Sequence, residues 1–168
     1  MKPNKGQDSI GGLCRLAALL EEATEAALSS RRGRLAELRR EADNVTKSLM
    51  QSVFRDFVTP LGRGETGTAA LALYDCIMLL PDGGGSGSVS NARSSAPMAE
   101  NCAELCRAIR LCCSALRGRG QGDCGLDCYF SAVSALRGGM SAGTAWGRAA
   151  AGMCRAYAAL CAALLGSV

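Results

Sequence analysis

The stretch "LRREADNVTKSLMQSVFRDFVTPLGRGETG" (Leu38–Gly67) decides how this chain folds. Starting from Leu35 just before it, apolar residues recur at Leu38, Ala42, Val45, Leu49 and Val53, and Phe57 continues the stripe. Steps of three and four residues put these side chains on one face of an α-helix, placed at about Arg34–Val58. Thr59-Pro60 stops the helix, because the residue before proline resists the helical region. A glycine-bearing turn follows, and a new helix is expected at about Glu65–Leu80. Within the stretch, Glu41 and Asp43 read either as a site or as a solvated helix face.

Outward from this stretch the pattern stays helical. A first helix is expected at about Asp8–Ser30, with Leu13, Leu16, Leu20, Ala23 and Ala27 on one stripe. Beyond the third helix, "PDGGGSGSVSNARSSAP" (Pro81–Pro97) reads as a flexible linker. A fourth helix at about Met98–Leu116, a "RGRGQGD" turn and a fifth helix at about Asp123–Leu136 come next. After "RGGMSAG", a sixth helix is expected at about Thr144–Leu165, with Ser141 or Thr144 as its cap and Trp146 as an anchor against the bundle. Three helices, a linker and three more helices suggest an internal repeat within one domain: residues 8–80, then 81–97, then 98–166.

Composition supports an all-α class. Aromatics make up 4% of the 168 residues, while the chain holds 21 glycines and 10 cysteines. Such small side chains suit close helix packing better than a β-sandwich. The net charge of +4 is mild, and the arginines are spread as Arg31-Arg32, Arg39-Arg40, Arg117 and Arg119. No basic cluster interleaved with aromatics supports binding of nucleic acid. The chain has no histidine, which excludes serine–histidine and cysteine–histidine catalysis, so no enzyme is expected. Met1–Gly12 is polar, and Arg155 divides the most apolar segment, Ala149–Leu165, into runs read as too short to span a bilayer. The expectation is a cytoplasmic protein without membrane insertion, whose cysteines are mostly reduced thiols.

Leu38, Glu41-Ala42-Asp43, Leu49, Phe54 and "FVTP" (Phe57–Pro60), then a polar turn and "ALALYDCIMLL" (Ala70–Leu80), resemble the PhoU-like accessory proteins of phosphate transporters. The resemblance is clearest over Leu35–Leu80 and looser over Cys102–Leu165. It implies an all-α fold of two three-helix repeats. It also implies a non-enzymatic role in inorganic phosphate transport, through contacts with the transporter or its regulatory protein. Separately, thin three-helix layers leave apolar faces to cover, which suits a homodimer. Members of that family carry acidic pairs, spaced Glu/Asp-x-x-x-Asp, that hold a divalent metal or iron. Acids at i and i+4 share a helix face, and pairs from two helices can surround a hard cation.

Carried onto this chain, the acidic motif is incomplete. In the second helix the first acid falls at Arg39 and Asp43 is kept; in the third the positions fall at Tyr74 and Met78, with Asp75 alongside. In the fifth helix Asp123 and Asp127 keep the spacing, but no acid follows Asp127 to partner them. The four aspartates read as a remnant, and no cofactor is expected.

The cysteines offer an alternative. Cys102/Cys106 and Cys124/Cys128 are C-x-x-x-C pairs on the expected fourth and fifth helices. If those helices are antiparallel, four thiolates could face one another and bind zinc or an iron–sulfur cluster, or form interhelical disulfides. Against this, Cys102, Cys106 and Cys113, like Cys154 and Cys161, recur at core spacing, which favours cysteine as a small buried hydrophobe. Glu21, Glu22 and Glu25 read as a solvated face. The "GRGETG" turn (Gly62–Gly67) and Arg117 and Arg119 could attract an anion, but a dipole-supporting Glu65 and an exposed turn are the plainer readings.

Overall fold

The computed structural model describes residues 5–55, 63–82, 89–118, 121–137 and 145–166. The fold is all-α. Among the described residues there are six helices and no strand: α1 (Lys5–Leu28), α2 (Arg32–Arg55), α3 (Arg63–Leu79), α4 (Val89–Arg117), α5 (Leu126–Arg137) and α6 (Ala145–Gly166).

The stripe that decided the fold is the one that is buried. In α2, Leu35, Leu38, Ala42, Thr46, Leu49 and Val53 face the core. Val45 was expected on that face; Thr46 takes its place, and Val45 packs at the edge of the core. The two positions flank the centre of the stripe, so the helix rotates the β-branched hydroxyl inward. The Thr46 hydroxyl is buried there without a hydrogen-bond partner. The "FVTP" stop, Leu61 and Gly62 lie outside the described residues, as do Arg119 and the two candidate caps of α6, while Arg63–Gly67 of the expected turn already belong to α3.

Helix α1 is central. Leu13, Leu16, Leu19, Leu20, Ala23 and Ala26 are buried around much of its circumference, because α2, α3 and α4 all pack against it. Small residues make the approach possible: a Cβ on Gly12 would lie 2.9 Å from Leu49 Cδ1 on α2. Helix α1 ends in a tight motif. The Arg31 amide donates to Ala26 O at 2.9 Å, and Ser30 sits in the left-handed region at φ 54°.

Helix α4 is the second hub, packing on α1, α5 and α6, while α6 also packs on α3. The α1–α4 and α3–α6 contacts therefore join the first three helices to the last three. The halves do not match helix for helix, since α5 has 12 residues where α2 has 24.

Three boundaries depart from expectation. Helix α4 begins at Val89, inside the stretch read as linker, and runs through Pro97. Helix α5 begins at Leu126, so Asp123 and Cys124 precede it instead of lying on it. The reason is Gly125, at φ 79°, where a Cβ would come 2.7 Å from Ala108 O on α4. The chain must turn there against a neighbouring backbone, and no helix passes through such a conformation. Finally, α6 is long and apolar enough to cross a membrane by length and composition, so Arg155 does not shorten it as expected. In the fold, Gly147, Ala149, Ala150, Met153, Ala156 and Leu160 of α6 are buried in the bundle.

Candidate functional site

The seam between α2 and α3 is where the remnant acids were expected, and the residues do face one another. Arg39 and Asp43 lie one turn apart on α2, opposite the C-terminal half of α3. Arg39 reaches the end of α3, donating to Leu80 O at 2.7 Å and to Ile77 O and Met78 O at 3.5 Å. Those carbonyls are among the ones a helix end leaves without partners, and a cation there also meets the negative end of the dipole. Asp82 closes the arrangement, 2.5 Å from the Arg39 guanidinium. One turn along, the Tyr74 hydroxyl donates to Asp43 Oδ1 at 2.5 Å. That hydrogen bond, with burial and the charges of Asp43 and Asp75, raises the Tyr74 pKa above its ordinary value.

Glu41 and Asp43 therefore have different structural jobs. Glu41 pairs with Arg15 of α1, whereas Asp43 is bonded to Tyr74 of α3. Asp75 is exposed. In the second half, Asp123 accepts the Gly125 amide at 2.8 Å, an Asx turn that leads into α5. Asp127 stands exposed in the first turn of α5, where its charge favours the helix N-terminus. The reading of Asp123 and Asp127 as one acidic face of a helix is corrected accordingly. Among the described residues, no three His, Cys, Asp or Glu side chains converge so as to hold a metal ion.

The same observation bears on the four-thiol alternative: Cys102, Cys106, Cys124 and Cys128 do not assemble. Cys102 and Cys106 are buried on α4, and burial pushes each thiol up to about 12. Cys106 contacts the Thr24 hydroxyl at 3.4 Å, and the Cys102 thiol is 3.9 Å from the carbonyl of Trp146. Cys124 lies before α5, its carbonyl accepting the Tyr157 hydroxyl at 2.9 Å. Tyr157 in turn stacks on Tyr129 of α5, ring centroids 4.5 Å apart. Cys76 is also fully buried, so much of the cysteine content is core.

Two closer thiol groupings were not foreseen. Cys112 of α4 lies on the side of α6, where Cys161 and Cys124 are near enough to add to the burial that raises its pKa. Cys113, the next residue, faces the other way, toward Cys14 of α1. The Cys14 thiol donates to Cys113 O at 3.5 Å, and the Cys113 thiol points at Leu13 O, 4.0 Å away. Arg117, one turn further along α4, lends its positive charge to Cys14 as well. The hydrogen bond from Cys113 and the Arg117 charge outweigh burial and hold Cys14 down at about 7. Arg117 is exposed, as expected, at the end of α4, and its charge acts on Cys14.

The acids of α1 form a solvated face, as expected, with arginines alongside. Glu21 pairs with Arg110 of α4 at 2.8 Å, and Glu22 with Arg34 of α2 at 3.0 Å. Both pairs are exposed, and solvent screening leaves such pairs little net worth. A shallow groove of about 510 Å³ lies between α1 and α4 beneath the first pair, lined by Thr24, Glu25, Cys106 and Arg107.

In comparisons with known proteins, no protein-family model, curated protein or solved structure matches this chain.

Proposed function

We propose that the chain is a non-enzymatic accessory protein of the PhoU-like kind. In this reading it acts in the cytoplasm through helix-face contacts with an inorganic phosphate transporter or its regulatory protein. One observation carries the reading. The α2–α3 positions that the resemblance aligns with metal ligands do lie opposite each other, and hydrogen bonds within the protein satisfy them. Arg39 closes the end of α3, and Tyr74 occupies Asp43. Too few free oxygens remain at that seam for a hard cation. A scaffold of this kind with its metal positions closed would work through its surface.

The surface offers contacts. Leu126 and Phe130 of α5 share a face four residues apart and are 46% and 59% exposed, and Phe54 on α2 is 75% exposed. Large apolar side chains left in water at helical spacing are suited to a partner helix or to a second copy of the chain.

A photo-crosslinking amino acid in place of Phe130, used in the cells that make this protein, tests the reading. Capture of a phosphate permease or its regulator is expected. Capture of neither, together with phosphate uptake unchanged when the gene is deleted, would sink the proposal. Elemental analysis supplies a separate check: stoichiometric iron or a divalent metal, lost in Asp43→Asn, would reopen the closed site.

A further inference from the structure

We propose that Cys14 and Cys113 are a redox pair that forms a reversible disulfide between α1 and α4 when a hydroperoxide reaches the protein. The inference is independent of the transport reading.

The geometry is reciprocal. The Cys14 thiol reaches across to the backbone of Cys113, and the Cys113 thiol reaches back to the backbone of Leu13, at 3.5 and 4.0 Å. The two thiols also act on each other electrostatically, Cys113 lowering Cys14 and Cys14 raising Cys113. A disulfide needs its sulfurs at about 2.05 Å, and two thiols that each reach the other helix's backbone beside the opposing cysteine approach that by side-chain rotation.

The two residues have different environments, which divides the roles. Cys14 is partly exposed and has Arg117 beside it; Cys113 is 2% exposed. The thiolate is the reactive form, and a cation next to a partly open thiol is the setting that favours it. Cys14 is therefore the attacking sulfur and Cys113 the resolving one. Cys76, Cys102, Cys106, Cys112 and Cys154 are all shifted the other way, upward, by burial.

The chemistry balances with hydrogen peroxide as oxidant. The Cys14 thiolate attacks one oxygen, the O–O bond breaks, and the departing hydroxide takes a proton to become water. Cys14 is left as a sulfenic acid. Cys113 then attacks that sulfur: an S–S bond forms, the S–O bond breaks, and the hydroxide leaves with the Cys113 proton as a second water. Two thiols lose two electrons and the peroxide gains them. A dithiol reductant reverses the bond by exchange and becomes a disulfide itself.

The test uses reduced full-length protein, one equivalent of hydrogen peroxide, alkylation of the remaining thiols and non-reducing tryptic mapping. The first linked product is expected to join the peptide of residues 6–15 to that of residues 111–117. The second peptide carries both Cys112 and Cys113, so Cys112→Ser must keep the link and Cys113→Ser must remove it. In Cys113→Ser, the sulfenic acid should persist at Cys14 and be trapped by dimedone. In Arg117→Gln, oxidation of Cys14 at neutral pH should slow about threefold or more. A first link through Cys112, Cys124 or Cys161 would overturn the proposal. So would oxidation of Cys14 no faster than that of Cys154, or a rate unchanged in Arg117→Gln.

Discussion

Cys112 and Cys113 are neighbours on one helix, yet they belong to two different chemical environments. Cys113 turns toward α1, where Cys14 and Arg117 make a thiol pair with a cation at its side. Cys112 turns toward α6, where Cys161, Cys124 and Tyr157 surround it, and the charges acting on it are those of other thiols. Burial raises Cys112, while the hydrogen bond from Cys113 and the arginine lower Cys14. Each grouping sets a buried thiol of α4 against a partly exposed one, so the difference lies in the cation beside Cys14. Proximity alone does not make cysteines reactive.

The largest expected effect on this contrast comes from Gly125. Gly125→Ala puts a side chain into a left-handed turn and drives its Cβ against Ala108. We expect a loss of about 3 kcal/mol or more in urea unfolding, since backbone strain and collision add. The start of α5 would be pushed off α4, so alkylation of Cys112 and Cys124 should rise while that of Cys14 holds. Equal exposure of both groupings would show that the contrast depends on the intact bundle.

Next in size is the dependence of alkylation on pH. Cys14 reacts as its thiolate, so its rate with iodoacetamide should climb as pH rises through about 7 and level off above that. Cys102 and Cys106, held near 12, should lag by about a hundredfold or more at neutral pH. A common midpoint for all three would remove the distinction.

Tyr157→Phe is smaller. It deletes the hydroxyl that holds Cys124 O at 2.9 Å, and should cost about 1 kcal/mol with no change at Cys14. A slower Cys14 in this variant would mean that the two groupings communicate through α4. The smallest effect is a gain. Ser30→Gly relieves a left-handed serine after α1 and should stabilise the fold by about 1 kcal/mol, leaving the order of thiol reactivity unchanged.

Much of the architecture was legible in the sequence, for a reason specific to helices. Leu35, Leu38, Ala42, Leu49 and Val53 repeat at the helical period, and a period is local information. The start of α5 was not legible, because Asp123 reads equally well as a helical residue or a turn former. What decides it is the distance from Gly125 to Ala108, set by tertiary packing. The extension of α4 back to Val89 was missed because a serine-rich run carries no apolar stripe. The candidate site divides the same way. That Arg39 stands where an acid was expected is visible in the sequence; that it closes the end of α3 is not. Cys14 and Cys113 are 99 residues apart, and only the register of α1 on α4 brings them together.

Arg39 has a mechanical consequence. Its guanidinium holds the last carbonyls of α3 and Asp82 beyond them, all from the middle of α2. One side chain in the middle of α2 thus fastens the far end of α3, so the two helices are tied at their seam by a polar clasp as well as by apolar packing.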